Sequence, residues 1–198
     1  MNKPLYLFVG RSASGKTTVA NILERVGKYS QLQSYTTRPK RIENEVGHTF
    51  ISDEEFDKLE NIIGYTDYNN YRYCSTAEQV DLSDIYVIDV PGVETLLERY
   101  KRDRRIIVLY FDASIRTRID RMLNRNDCDA AIVSRLYNDE EFDWQNELNK
   151  TVWNYKNNEN KDVEMYVINA NNNIDDVLMQ VTNYFNNDAE DSTNDNCM

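Results

Sequence analysis

The sequence has 198 residues, of which 29% are charged, and it carries a formal net charge of -11 at pH 7. This length suits one α/β domain with a small insertion, and the negative charge argues against nucleic acid or an anionic membrane as a partner. No apolar run approaches the ~18 residues that a membrane helix needs. Cys74, Cys128 and Cys197 are odd in number and widely separated, so we expect reduced thiols in a cytoplasmic protein.

The first motif follows a short apolar run at residues 5–9, which is typical of a buried strand. It is Gly10-Arg11-Ser12-Ala13-Ser14-Gly15-Lys16-Thr17, which fits the phosphate-loop pattern G-x-x-x-x-G-K-[ST] at every fixed position. Apolar residues then recur at helical spacing, at Val19, Ile22, Leu23 and Val26. This order of strand, loop and helix predicts a phosphate-binding loop; the alternative is a glycine turn before a helix, with no ligand.

The chemistry of phosphate binding accounts for the residue types in this loop. Gly10 and Gly15 allow a tight turn that brings several backbone N–H groups to one anion, which the positive end of the next helix also faces. Lys16 would reach the β- and γ-phosphates of ATP, and the Thr17 hydroxyl would bind Mg²⁺. The candidate ATP-binding residues are Gly10, Ser12, Ala13, Ser14, Gly15, Lys16, Thr17 and Thr18.

A basic segment, Thr36-Thr37-Arg38-Pro39-Lys40-Arg41, comes next. Pro39 disfavours a helical conformation at Arg38, so the segment should be extended or turning. Arginine side chains held on such a segment suit phosphate oxygens, although a solvated basic turn is an alternative interpretation.

Residues 42–80 contain one helical pattern, in which Ser52 and Glu55 resemble a capping box and predict a helix to about Asn61. Polar, turn-rich sequence with several tyrosines follows. The tyrosines are Tyr65, Tyr68, Tyr71 and Tyr73. This composition predicts a small β-rich lobe.

Three more apolar runs, at residues 85–89, 105–111 and 163–168, predict the remaining strands of the core. The first ends in Asp89, and an acid at the end of a central strand often lies near Mg²⁺ in phosphate-loop proteins. Helices are predicted after Pro91-Gly92, at 115–124, over 130–156 and after Asn173, which can cap the last one. The acidic residues 187–198 are expected to be disordered.

Four arginines lie around a polar break between two of these helices. Arg118, Arg121 and Arg125 share one helical face, and Arg135 lies early in the next helix. They predict a mobile lid that closes over phosphates; a charged helix surface is the alternative.

The motifs together resemble the guanylate kinase family over about residues 3–186. After the phosphate loop, the chain reads Ser34-Tyr35-Thr36-Thr37-Arg38-Pro39-x-Arg41, then Gly47-x-x-Phe50-Ile51-Ser52, then Tyr73-x-Ser75-Thr76. The resemblance implies an α/β fold: a P-loop NTPase core with a parallel sheet flanked by helices, an inserted lobe that binds the nucleoside monophosphate, and a helical lid. The core would be residues 1–35 and 81–186, the lobe 36–80, the lid about 118–135 and the tail 187–198.

The resemblance also implies roles for individual side chains. Arg38, Arg41 and Tyr73 would hold the GMP phosphate, while Ser34 and Ser75 would face the guanine. Asp89 matches the acidic strand end near the base and the metal. Lys16, Arg125 and Arg135 would supply catalytic positive charge, with ATP and Mg²⁺ as the donor and its metal.

The chain departs from the family pattern in three places, and the last of them bears on which base is recognised. Asn44, flanked by Glu43 and Glu45, stands where the family has a glutamate, and His48 or Phe50 occupies the place of a phosphate-binding tyrosine. The carboxylate with which the family reads guanine falls at Gly64, and the nearest substitute is Asp67.

We therefore expect an ATP- and Mg²⁺-dependent kinase that phosphorylates GMP or dGMP, with small-molecule nucleotides as its ligands. A kinase for another nucleoside monophosphate is the first alternative. A non-catalytic binding module of guanylate-kinase-like fold is the second. The oligomeric state is left open.

Overall fold

The computed structural model describes residues 3–27, 29–40, 43–140, 143–159 and 161–194. Its strands are β1 (Leu5–Val9), β2 (Ser34–Thr36), β3 (His48–Phe50), β4 (Ile62–Tyr68), β5 (Tyr71–Thr76), β6 (Ile85–Val87), β7 (Ile106–Asp112) and β8 (Val163–Asn169). Its helices are α1 (Lys16–Arg25), α2 (Asp53–Phe56), α3 (Ala77–Leu82), α4 (Val90–Arg99), α5 (Ile115–Asn124), α6 (Asp129–Glu140), α7 (Trp144–Asn157) and α8 (Ile174–Asn194). Arg41, a predicted phosphate contact, lies outside the described residues.

Four parallel strands form the central sheet, in the order β6-β1-β7-β8. Every residue of β1 is buried, because helices cover both faces of the sheet, and this explains its continuous apolar sequence. Successive side chains point to opposite faces, so two buried clusters form: one includes residues of α4 and α7, the other residues of α1 and α8. The predicted α/β core with a flanked parallel sheet is confirmed.

The strand order determines where a ligand can bind. The phosphate loop follows β1, Asp89 follows the neighbouring β6, and both lie at the carboxyl edge of the sheet. The crevice outside this edge is where open α/β sheets bind ligands.

A second sheet, in the order β3-β2-β5-β4, contains most of the segment predicted as a β-rich lobe. Its hairpin between β4 and β5 turns at Asn69 and Asn70, both with positive φ, as a two-residue turn of the favoured twist requires. The helix expected from Ser52 does begin with a capping box, but it ends at Phe56 rather than near Asn61. Phe56 is the one buried residue of α2, and Asn61 has a positive φ directly before β4.

The long helix expected over residues 130–156 is two helices, α6 and α7. Asp143 leaves the helical conformation and its carboxylate accepts a hydrogen bond from the Asn146 N–H, which caps the start of α7. The first part of the segment is therefore a separate helix that can lie over the cleft.

The last helix is also longer than expected, because α8 continues to Asn194 through most of the tail for which disorder was predicted. Asn173 caps it as predicted: its side chain accepts a hydrogen bond from the Asp176 N–H at 3.0 Å. Among the described residues, no helix combines the length and apolarity that crossing a bilayer requires.

Candidate nucleotide-binding site

The phosphate loop turns sharply because its first glycine lies against β7. Gly10 has φ +148°, and a Cβ at this position would lie 2.6 Å from the Phe111 carbonyl oxygen. A side chain here would push the loop away from the sheet. The loop then enters α1 directly, with Lys16 as its first residue, so the helix N-terminus faces the cleft.

Lys16 bends back over this loop. Its Nζ donates to the Gly10 carbonyl at 2.6 Å, to the Arg11 carbonyl at 2.9 Å and to Ser14 Oγ at 3.2 Å. Burial lowers the pKa of Lys16 to about 8, while the negative charge of Asp139 opposes this shift. The ammonium group is thus held where a phosphate in the loop would meet it.

Two adjoining clefts open at the loop. The lobe cleft, of about 280 Å³, lies between the loop, the second sheet and the lid helices. The helix cleft, of about 480 Å³, lies between the loop, α5 and the start of α8. Both are lined by Ala13, Lys16, Thr17 and Arg125, so the clefts meet at the loop.

Most of the predicted site residues line one or both of these clefts. The lobe cleft contains Gly10, Ser12, Ala13, Lys16, Thr17, Ser34, Arg38, Tyr73, Asp89, Arg125 and Arg135. The helix cleft contains Ala13, Ser14, Gly15, Lys16, Thr17, Thr18 and Arg125.

Arg38 is buried at the lobe side of the cleft, with 8% of its side chain exposed. Its guanidinium forms a two-pronged ion pair with Glu45, at 2.8 and 3.2 Å, and lies over the Phe50 ring. Glu45 therefore provides the carboxylate that the family pattern has at the position of Asn44. Glu45 occupies this fork and fixes the guanidinium in one orientation at the cleft, so a phosphate would be met by the N–H groups that Glu45 leaves free.

Ser34 and His48 are brought together by the pairing of β2 with β3. Ser34 Oγ lies 2.9 Å from His48 Nδ1, and the His48 ring meets the Tyr73 ring edge-on at 5.7 Å. Ser75 is different: its hydroxyl is buried and donates to the Ile63 carbonyl at 3.1 Å. Ser75 thus lies behind the cleft wall and is not part of the lining.

The wall in front of Ser75 is Gly64. It has φ +59° at an irregularity in β4, and a Cβ there would lie 2.9 Å from Ser75 Oγ and 3.2 Å from the Tyr86 ring. No carboxylate side chain fits at this position without displacing its neighbours.

Asp67 does not replace the missing carboxylate. Gly64, Thr66 and Tyr68 line the cleft, whereas Asp67 is exposed and accepts hydrogen bonds from Tyr65 Oη at 2.9 and 2.8 Å. Alternate residues of a strand point to opposite faces, which turns Asp67 away from the base site. The guanine-reading role expected for Asp67 is not supported by its position.

Asp89 caps α4 at the floor of the cleft by accepting the Gly92 N–H at 2.8 Å. Burial raises the pKa of its carboxyl group, and the Gly92 hydrogen bond opposes this effect. The described residues contain no group of three or more His, Cys, Asp or Glu side chains that could hold a metal. Mg²⁺ in kinase sites typically takes few protein ligands besides substrate phosphates, and the Thr17 hydroxyl with the Asp89 carboxylate fits that pattern.

Asp127 was not singled out from the sequence, although it holds the two predicted lid arginines. Its carboxylate accepts from Arg125 Nε at 3.0 Å and forms ion pairs with both Arg125 and Arg135. The hydrogen bonds from Arg125 hold the pKa of Asp127 below its usual range. Both guanidinium groups are therefore present at the cleft and gathered around one carboxylate.

The other two arginines of the predicted lid support the loop. Arg121 donates to the carbonyls of Ala13, at 3.3 Å, and Ser14, at 3.0 Å. Arg118 is buried and pairs with Asp139 at 2.7 Å. Of the four arginines, Arg125 and Arg135 line the lobe cleft, whereas Arg118 and Arg121 are engaged by Asp139 and by loop carbonyls.

The similarity of the chain to known proteins lies in its fold. No family model matches it, and no curated protein matches it. A crystal structure of guanylate kinase from Anaplasma phagocytophilum matches with a TM-score of 0.51 and 17% identity, over 94% of this chain and 86% of that one.

Deoxyadenosine kinase from M. mycoides with bound dATP matches with a TM-score of 0.44 and 12% identity, over 92% of this chain and 99% of that one. The structure of that kinase with bound dCTP has a TM-score of 0.41 and 14% identity, over 92% and 100%. The match to the guanylate kinase structure shows a similar fold.

Proposed function

We propose that this protein is an ATP- and Mg²⁺-dependent nucleoside monophosphate kinase, with GMP or dGMP as its first candidate acceptor. The single observation that supports this most is the meeting of two clefts at Lys16, Thr17 and Arg125. A hydrolase that acts on one nucleotide needs one such cleft. Two clefts that share a phosphate loop suit two nucleotides whose phosphates face each other.

ATP would occupy the helix cleft, with its phosphates on the loop from Gly10 to Thr18. The acceptor would occupy the lobe cleft, with its phosphate at Arg38 and Tyr73. A phosphate oxygen of the acceptor attacks the γ-phosphorus of ATP, and the bond from that phosphorus to the oxygen of ADP breaks. The products are ADP and a nucleoside diphosphate.

The chain's own residues supply positive charge to the transferred group. Lys16 holds the β- and γ-phosphates. Arg125 and Arg135 release Asp127 and contact the transferred phosphoryl group instead. Mg²⁺, held by Thr17 and Asp89, would supply further charge on the phosphates. The acceptor phosphate is already ionised, so no dedicated general base is needed.

Guanine as the acceptor base rests on the resemblance to guanylate kinases. Asp89 lines the lobe cleft, but one of its oxygens caps α4 and the other is assigned to Mg²⁺, so it does not offer the two acceptors that N1–H and the exocyclic amine need. A second candidate is a kinase for a different monophosphate. That reading is favoured by Gly64, where no carboxylate fits, and by the outward position of Asp67. Hydroxyl groups such as those of Ser34 and Thr66 would then read the base.

A coupled assay of ATP consumption with GMP, dGMP, AMP, UMP and dTMP separates these candidates. We expect turnover with GMP or dGMP and its loss in Lys16→Ala, with the cooperative thermal unfolding transition retained. Turnover with only one of the other monophosphates would identify that nucleotide as the acceptor instead of GMP or dGMP. Absence of ATP binding in calorimetry would favour the non-catalytic binding module instead.

A further inference from the structure

Asp139, near the end of α6, is the feature of the site that the proposed function does not use. Its carboxylate accepts the Ser12 N–H at 2.9 Å and lies 3.3 Å from Ser12 Oγ. It also accepts a hydrogen bond at 2.7 Å from Arg118 Nη1, on α5. Only 2% of Asp139 is exposed.

A buried carboxylate beside a phosphate-binding loop carries a cost. Burial penalises its charge, and its charge repels the phosphates that the loop would bind. The Arg118 guanidinium neutralises it locally. The other hydrogen bonds of Asp139 are made to Ser12, which lies inside the turn closed by the hydrogen bond from the Ser14 N–H to the Arg11 carbonyl.

The neighbour of Asp139 on α6 contacts the opposite wall of the cleft. Asn138 Nδ2 donates to Asn69 Oδ1, at the tip of the hairpin between β4 and β5, at 3.1 Å. Two consecutive residues of one helix thus contact the phosphate loop and the lobe. A movement of α6 away from the cleft breaks both contacts.

We propose that Asp139 is a positioning residue that docks the lid helix α6 onto the phosphate loop and fixes the loop at Ser12 in the conformation that binds ATP. The ATP-binding part of this inference rests on the proposed function. The docking part concerns the free protein and stands apart from it. Asp139 acts through Ser12: its carboxylate borders the lobe cleft, but both of its oxygens are engaged by Ser12 and Arg118.

Hydrogen exchange of the free protein tests the docking directly. In Asp139→Asn, the amides of the peptide covering residues 10–15 should exchange about tenfold faster or more, because a hydrogen bond from Ser12 to a charged group is weakened. The amides of β7 serve as an internal reference for the global fold. An unchanged exchange rate in the loop peptide would overturn the proposal.

Two control variants separate this role from general stabilisation. Asp129→Asn removes an exposed carboxylate at the start of the same helix and should leave the loop unchanged. Arg118→Met breaks the buried pair from the other side and leaves Ser12 bonded to Asp139, so it should lower the thermal midpoint with a smaller effect on the loop. If the β7 amides also exchange faster in Asp139→Asn, the double variant Arg118→Met/Asp139→Asn is measured, because it removes both buried charges. In this double variant we expect faster exchange in the loop peptide while the β7 amides stay protected.

Steady-state kinetics supply the second readout. Asp139→Asn should raise KM for ATP about tenfold and change KM for the acceptor less than about twofold, since the loop binds the donor. Tighter ATP binding in this variant would show that the carboxylate only repels phosphate, and would overturn the proposal. A wild-type protein that does not turn over ATP defeats the proposed function, while the exchange experiment still decides the role of Asp139.

Discussion

At the scale of single residues, the conformation of the phosphate loop depends on local contacts of Lys16 and on a distant contact with Asp139. Lys16 is recognisable because its partners lie within six positions of it along the chain. The role of Asp139 is not recognisable in the sequence, because its partner Ser12 is 127 positions away. In sequence alone, an acid near the end of a helix resembles a solvated charge. Asp67 was misjudged for a different reason: it is an odd number of positions from Gly64, and strand geometry sends it to the other face.

The pKa of Lys16 leads to a prediction about pH. Burial lowers it to about 8 in the free protein, so the lysine loses its proton as pH rises through that value. The charge that would hold phosphate is then lost. We expect kcat/KM for ATP to fall above about pH 8, because this ratio reports ionisations of the free enzyme. A profile that stays flat to pH 10 would contradict the burial of this ammonium group.

The Gly64 position gives a prediction about stability. Gly64→Ala should cost about 1–2 kcal/mol in free energy of unfolding for its positive φ, plus about 1–3 kcal/mol for overpacking against Ser75 and Tyr86. Gly27→Ala is the matched control, since Gly27 has φ +74° and nothing within 4 Å of its Cβ position. Chemical denaturation measures both. Equal losses of stability in the two variants would mean that Ser75 and Tyr86 accommodate the added methyl group without cost.

At the scale of elements, apolar runs predicted the strands of the core well, most clearly β1 and β7, which are buried on both faces. The bounds of α2, of α6 and α7, and of α8 were predicted less well. The segment expected as one helix over 130–156 divides at Asp143, whose capping bond competes with a continuous helix. The β-rich lobe was foreseen from composition, but its strand order was not, since the β2–β5 pairing joins residues nearly forty positions apart.

The assignment of ATP to the core and of the acceptor to the lobe gives a prediction for Arg38. Arg38→Ala should raise KM for the acceptor about tenfold or more and leave ATP binding nearly unchanged, because the guanidinium lines only the lobe cleft. Arg72→Ala is the control from the same lobe, where the arginine pairs with Asp53 and Asp57 and lines neither cleft. Comparable losses for ATP and acceptor in Arg38→Ala would refute the assignment of the lobe to the acceptor.

At the scale of the whole molecule, the account depends on how three parts converge. The core sheet presents the loop. The second sheet presents Tyr73, and the segment after β2 presents Arg38. The lid region presents Arg125 and Arg135. The motifs predicted each part, since each contains its own short pattern. How these parts close around the cleft could not be predicted from the patterns, because it depends on long-range contacts such as Asn138 with Asn69 and Asp139 with Ser12.

The central claim is that two nucleotides lie end to end across the loop. Calorimetry with an adenosine and a guanosine joined through their 5′ positions by five phosphates tests this most directly. We expect one molecule per chain, bound at least about 100-fold tighter than ATP or GMP alone, because the second half binds at high effective concentration. An affinity no better than that of ATP, with GMP still able to bind beside it, would contradict the account.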